Sequence, residues 1–303
     1  MRNRVADIEI RSGSDSIRAW FFVPDSAQGP SPCLVIGHGF GLTRRCRLYE
    51  IAGAFADAGY VVLAFDYRGF GDSGGSPRQV VSFRKQLEDW CSAIAFVRTQ
   101  TEVDPDRVIT WGFSLGAGHA LTAASRDLRI AAAVAVAPMF DGLSSTLAAM
   151  RRWTLWTFFR IVGRGIRDLI AAALGRPPVM VPIAALPGEL GLLTTEDAYP
   201  GYQAMAPTDF NYDTAARIGL LFWTYRPGLR LRRFDRPILV FPSVRDEINP
   251  PGPTVRWTRR CPTATLVELT CAHMDVTTEP HRERIIASTI EFLREQVPSR
   301  EIE

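Results

Sequence analysis

The sequence predicts an α/β fold, a mostly parallel sheet with helices packed on both faces. Three observations carry that expectation. The runs Cys33–Gly37, Tyr60–Phe65 and Ile130–Ala137 are apolar at every position, so neither face of such strands meets water. Between them lie stretches whose apolar residues recur at steps of three and four, the repeat of one helical face. Strand and helix alternate along the chain, which sets successive strands parallel.

The elements follow in order. Val5–Ile10 and Ile17–Val23 read as a hairpin around Gly13-Ser14-Asp15. Cys33–Gly37 is a strand, Leu48–Ala58 a helix stopped by Gly59, and Tyr60–Phe65 the next strand. Val80, Phe83, Leu87, Trp90, Ile94 and Val97 make one face of a long helix. Arg107–Trp111 is a strand, Leu115–Ala124 a helix and Ile130–Ala137 a strand. After a long break come a strand at Ile238–Phe241, a helix near Pro253–Arg260, a strand at Thr265–Leu269 and a closing helix from Pro280 to Gln296. The break, Met139–Phe234, reads as helices and Pro-rich loops and is expected to be an insertion. The remainder, residues 1–138 and 235–303, is expected to form one core domain.

Composition narrows the function classes. With 303 residues, 47% hydrophobic and 22% charged, the chain can bury a core without a disulfide or metal staple. The net charge of +3 is too small for a dedicated nucleic-acid binder, and all 35 basic residues but Lys85 are arginine. Five scattered cysteines without a CxxC pair argue for reduced thiols in a cytoplasmic protein. The start of the chain lacks the apolar core of a signal peptide. The longest uncharged apolar stretch, Pro177–Gly188, is broken by prolines and too short to span a membrane. No metal-ligand spacing and no nucleotide-binding loop is present, so neither a metal nor another cofactor is expected.

Gly112-Phe113-Ser114-Leu115-Gly116 is a G-x-S-x-G element, and its context gives it weight. It follows a predicted strand and opens a predicted helix, as a nucleophile elbow requires. The serine then sits on a strained turn at a helix N-terminus that favours developing negative charge.

At this point the chain resembles the α/β-hydrolase superfamily, in particular its lidded serine esterases and thioesterases. Two further segments match. His38-Gly39-Phe40-Gly41 follows the third strand, where the family places its oxyanion loop. Asp66-Tyr67-Arg68-Gly69-Phe70-Gly71-Asp72-Ser73-Gly74 is similar to the family's structural D-x-R-G-x-G-x-S turn. The resemblance implies an eight-stranded sheet with helices on both faces and a helical lid, residues 139–234, inserted after the sixth strand. The family's chain order is serine, acid, histidine. Of the four histidines, His38 belongs to the oxyanion loop, His119 should turn away from the site, and His281 opens the last helix. His273, in the loop before that helix, occupies the family's base position. Asp246, in Phe241-Pro-Ser-Val-Arg-Asp246-Glu247-Ile-Asn-Pro250, matches the acid loop, with Asp141 and Glu247 as alternatives and Asp275 as a local turn carboxylate. The resemblance thus implies catalysis by Ser114, His273 and Asp246, with the backbone N–H groups of Phe40 and Leu115 as oxyanion hole.

The expected activity is hydrolysis of a carboxylic ester or thioester carrying an apolar or aromatic acyl group. Alternatives are C–C bond hydrolysis or acyl transfer and cyclisation by the same triad, and a non-catalytic receptor. An aspartate nucleophile, needed for dehalogenation or epoxide opening, is absent from the elbow. In the insertion, the aromatic run Arg152–Arg160 offers Trp153, Trp156 and Phe159 as substrate-binding residues. The same run could instead pack on the core or form a homodimer surface. Arg160, Arg164 and Arg167 beside apolar residues suggest a third use, at a membrane interface. Arg44, Arg45 and Arg47 are candidates for an anionic group on the substrate.

Overall fold

The computed structural model describes residues 3–25 and 29–297. β1 (Asn3–Ser12) and β2 (Asp15–Pro24) form an antiparallel hairpin. The chain continues through β3 (Ser31–Gly37), α1 (Leu48–Asp57), β4 (Val61–Phe65), α2 (Phe83–Val97), β5 (Val103–Phe113), α3 (Leu115–Arg126) and β6 (Ile130–Val136). Next come α4 (Gly142–Arg152), α5 (Leu155–Ala173), β7 (Met180–Pro182), α6 (Ala198–Met205) and β8 (Asp213–Ala215). Short 3₁₀ turns between Ala216 and Arg233 lead to β9 (Ile238–Phe241), α7 (Pro251–Thr258), β10 (Ala264–Leu266) and α8 (His281–Gln296).

Eight strands form one sheet in the order β1-β2-β4-β3-β5-β6-β9-β10, and β7 and β8 pair separately. From β4 to β10 all pairings in the large sheet are parallel. Every residue of β4 and β9 is buried, as their unbroken apolar composition requires. Strand–helix–strand crossovers are right-handed. The chain steps one way from β3 to β4 and the other way from β5 to β6, so α1 and α3 cover opposite faces. α8 packs on α1, and α2 on α3. The reversal between β3 and β5 opens a crevice at the carboxyl ends of those strands, where ligands of open α/β sheets bind.

One expected boundary shifts for a local reason, and one small sheet was not expected. α2 begins at Phe83 and leaves Val80 in the preceding loop, because the Ser82 hydroxyl caps the helix by accepting the Lys85 N–H. The small sheet of β7 and β8 went unread, since three-residue strands are too short to show alternation. Cys91 is exposed and the other four free cysteines are buried.

One buried carboxylate ties three parts of the core together. Asp89 on α2 accepts from the Ser12 hydroxyl (2.7 Å), the Arg68 N–H (2.9 Å) and Arg68 Nε (2.5 Å). Burial pushes its pKa above the ordinary carboxylate value, and these bonds oppose that rise. Removing it deprives the buried Arg68 Nε and N–H of their acceptor and leaves the guanidinium only Glu88 (2.8 Å) and the Lys85 carbonyl (3.0 Å). Asp89→Ala is therefore expected to lower the unfolding free energy by about 3–5 kcal/mol, read from urea denaturation.

Candidate active site

The elbow is built from close approach. Ser114, between β5 and α3, adopts φ 56° and ψ −117°, a left-handed backbone unusual for a residue with a side chain. Such a conformation costs about 1–3 kcal/mol and persists only when its surroundings enforce it. Here its N–H donates to the Val136 carbonyl at 2.9 Å, and its own carbonyl accepts from Ala117 and Met139. A Cβ on Gly112 would lie 2.2 Å from the Gly116 carbonyl oxygen, and one on Gly116 would lie 2.4 Å from the His38 carbonyl oxygen. Only glycine lets α3 start this close to the end of β3.

Three side chains meet above the elbow. The Ser114 hydroxyl lies 3.0 Å from His273 Nε2, and His273 Nδ1 lies 2.6 Å from Asp246 Oδ2. All three residues are buried. The second Asp246 oxygen accepts the N–H groups of Ile248 (2.9 Å) and Asn249 (2.6 Å), which fixes the carboxylate's plane. Burial raises the Asp246 pKa, and the facing imidazole counters it. For His273 burial alone would lower the pKa. The charge of Asp246, its hydrogen bond and the more distant Asp197 outweigh that effect, leaving it above the usual histidine value. Asp197, just before α6, also accepts the Met274 N–H at 3.1 Å and so holds the loop that carries His273.

Beside Ser114 lies the pair of predicted oxyanion donors. Leu115 is the first residue of α3, so its N–H has no partner within the helix. The Phe40 peptide is gripped from both sides. The Gly39 carbonyl, which shares a peptide unit with the Phe40 N–H, accepts from His38 Nδ1 (3.0 Å) and the Leu42 N–H (3.4 Å). The Phe40 carbonyl accepts from the buried Tyr202 hydroxyl at 2.5 Å. Burial lowers the His38 pKa to about 4, so its ring is neutral and donates from Nδ1.

The remaining candidates are accounted for elsewhere. His119 is buried, its pKa lowered to about 3 by burial, and it bonds Gln86 (2.9 Å) and the Tyr225 hydroxyl (2.7 Å). His281 is the first residue of α8. Asp141 pairs with Arg226 (2.7 Å), Glu247 with Arg152 (2.6 Å), and Asp275 accepts the Ala272 N–H (2.9 Å). The arginines after the oxyanion loop are likewise engaged. Arg44 is buried against Asp7, Asp66 and Asp72, with its guanidinium over Trp20, while Arg45 pairs with Asp209 and Arg47 with Glu50. These carboxylates compete with any anionic substrate group. Among the described residues, no group of three or more His, Cys, Asp or Glu could hold a metal ion.

A cleft enclosing about 800 Å³, part of it open to solvent, descends to Ser114 and His273. Its walls are mainly apolar, with Phe40, Phe113, Leu115 and Met139 from the sheet side and Trp153, Leu192 and Phe222 from the segment between β6 and β9. The expectation for Trp156 and Phe159 is not met. They are 70% and 65% exposed, because α5 turns Thr157 and Ile161 inward and so points these rings away from the cleft. Two polar residues went unrecognised. Tyr202 left no signal in the sequence. Asn249 stands three residues after Asp246, a spacing that could have drawn attention. Its Nδ2 donates to the Ala137 carbonyl (3.2 Å) and reaches the Ser114 hydroxyl (3.4 Å), while its Oδ1 accepts from Ser145 on α4 (2.9 Å).

This sheet, with a strained serine at the turn between β5 and α3, defines an α/β hydrolase, and the chain belongs to that family. Residues 28–170 match the family described as serine aminopeptidase, S33. Over 294 residues the chain is 37% identical to the quorum-quenching protein AidA of Acinetobacter baumannii, covering 96% of this chain and 95% of that one. It is 32% identical over 184 residues to the polyketide transferase ATR5 of Stachybotrys chlorohalonatus, covering 60% and 58% of the two chains. The crystal structure of the α/β hydrolase GrgF from Penicillium sp. sh18 superposes with a TM-score of 0.81 at 21% identity, covering 97% of this chain and 99% of that one.

Three outcomes are expected from this geometry. If His273 serves as the base, its proton must leave first, so kcat/KM for a neutral ester rises with pH about a midpoint above the usual histidine value. Asp246→Asn removes the main charge holding that proton, so the midpoint moves to lower pH and kcat falls about ten-thousand-fold in a pH-rate series. Tyr202→Phe frees the Phe40 carbonyl and lowers kcat by up to about tenfold in steady-state assays, the worth of one hydrogen bond.

Proposed function

We propose that the protein is a serine hydrolase that cleaves a carboxylic ester or thioester with an apolar acyl group. The observation that carries this reading is the unbroken chain of hydrogen bonds from Asp246 through His273 to Ser114 at the floor of an apolar cleft. Asp246 keeps the proton of His273 on Nδ1, so Nε2 is free to accept. Nε2 takes the Ser114 proton as Oγ attacks the acyl carbon. The oxyanion formed at the former carbonyl oxygen accepts from the Phe40 and Leu115 N–H groups, each worth about 3 kcal/mol of barrier. His273 then returns the proton to the departing oxygen or sulfur, leaving an ester on Ser114. Water, deprotonated by His273, attacks that ester, and the acid leaves as Oγ regains its proton.

Residues 139–234 act as a lid in this reading, with α4 and the loops after α5 forming the cleft wall that meets the acyl chain. Substrate recognition rests on that wall, with Trp153 the one member of the aromatic run in contact with the acyl group. The name of the AidA relative, a quorum-quenching protein, makes signalling molecules that carry an ester a first group to try. A second reading, transfer of the acyl group to a substrate hydroxyl, is favoured by the likeness to a polyketide transferase. The two differ only in which nucleophile reaches the acyl-enzyme.

A panel of aryl esters and thioesters of increasing chain length tests the proposal. Wild type should turn over the apolar members and react with a fluorophosphonate at Ser114, and Ser114→Ala should lose at least a thousandfold in kcat and all labelling. Equal turnover by Ser114→Ala would end the proposal. Alkyl ester formed in the presence of an added alcohol, in excess of free acid, would favour transfer.

A further inference from the structure

α5 carries its amphipathic pattern the wrong way round for a helix on a protein surface. The side facing the molecule is small or polar, with Thr157, Gly165, Asp168 and Ala171 buried and Ile161 the only large apolar residue among them. Gly165 allows this close seating, since a Cβ there would lie 2.7 Å from the Leu220 side chain. Asp168 accepts from Arg217 Nε (2.7 Å) and the Val179 N–H (2.8 Å). The opposite side is large and apolar. Leu155, Phe159, Ile166 and Ile170 share one stripe, with Trp156 and Leu174 next to it, and all six are exposed. An ordinary surface helix shows the reverse. At 1.5 Å per residue the 19-residue helix presents this stripe over about 28 Å.

Charge selects the partner. Between residues 142 and 188 the sequence has six arginines and a single acidic residue, the inward-turned Asp168. Arg160 and Arg167 lie on one flank of the stripe, with the half-buried Arg164 at the edge of the buried side, and the Arg160 guanidinium lies over the Trp156 ring at 5.8 Å. We propose that the outer face of α5 docks on an anionic lipid surface, with the stripe among the acyl chains and the arginines reaching the phosphates. A second copy of this chain fits poorly. A two-fold contact here would face one set of arginines with another and supply no carboxylate between them. No described helix is long and apolar enough to cross a membrane, and α5 lies along the surface instead.

The location adds a consequence that rests on the proposed hydrolase activity. Ala149, Arg152 and Trp153 line the cleft, and α5 begins at Leu155. Docking on this face sets the cleft beside the lipid phase, where apolar acyl substrates concentrate.

Vesicle co-sedimentation tests the docking itself. The full chain, as wild type and as Ser114→Ala, is mixed with phosphatidylcholine vesicles with and without phosphatidylglycerol. Both forms should bind only the anionic vesicles, and added salt should weaken the binding. The Ser114→Ala arm separates this result from the fate of the hydrolase reading. Ile166→Glu/Ile170→Glu should reduce partitioning at least tenfold while thermal unfolding and turnover of a water-soluble ester stay as in wild type. Arg164→Ala/Arg167→Ala should reduce it by roughly fivefold per arginine. Should the glutamate variant misfold, lipids brominated in the acyl chain supply a second measure, quenching fluorescence in wild type by an amount that Trp156→Phe loses. Four results would overturn the proposal. They are no binding of wild type to anionic vesicles, binding indifferent to both double variants, a wild-type dimer in sedimentation equilibrium that Ile166→Glu dissociates, and capture of an acidic protein without affinity for vesicles.

Discussion

The closeness of α3 to the end of β3 is the constraint on which the site depends. Gly112 and Gly116 allow it, and Ser114 pays for it in backbone strain. Because the helix starts so near β3, the loop after β3 passes close beside the elbow, and a Cβ on Gly39 would lie 3.2 Å from that of Ser114. The parallel sheet supplies the rigidity that a strained turn needs. Ser114 is anchored to the end of β6 through the Val136 carbonyl, so its position is set by two neighbouring strands as well as by its own.

Burial sorts the histidines. His38, His119 and His273 are all buried, and burial by itself favours the neutral ring. In His38 and His119 nothing reverses it, so their pKa values fall to about 4 and about 3 and the rings serve as fixed hydrogen-bonding groups. His273 alone has a carboxylate at 2.6 Å and a second one nearby, and its pKa moves the other way. One residue type thus holds the Phe40 peptide, braces two helices, and takes the position of the proposed base. The difference lies in the neighbours.

The segment between β6 and β9 reaches into the site at several points. Tyr202 holds the Phe40 carbonyl, Asp197 holds the Met274 N–H, and Ser145 orients Asn249 beside the Ser114 hydroxyl. A displacement of α4 or α6 would therefore be felt at the Phe40 peptide and at the Ser114 hydroxyl as well as in the cleft wall. The same segment leaves its most apolar helical face to solvent, and its interior side is occupied by glycine, threonine and an ion pair. Inward it completes a site, and outward it presents a surface unlike the rest of the molecule.

The order of serine, acid and histidine was implied by the family resemblance, whereas the chain's own pattern determined the alternation of buried strands with amphipathic helices and the serine on a strand-to-helix turn. These are local signals, carried by hydrophobic period, glycine spacing and turn chemistry within a dozen residues. The resemblance favoured Asp246 over Asp141 and Glu247, and the fold gave each its partner, His273 for the first and arginines for the others. Trp156 and Phe159 show the same limit. The aromatic run offered them as substrate-binding residues, but which side of a helix faces the protein depends on what lies beneath it, and Gly165 and Asp168 claimed the interior. Tyr202 stands 162 residues from the carbonyl it holds, a separation at which no local pattern carries information. The sequence by itself determined the elements and the serine at the turn between β5 and α3. Tertiary structure decided which carboxylate, which wall and which outer face, because each depends on desolvation and pairing between residues far apart in the chain.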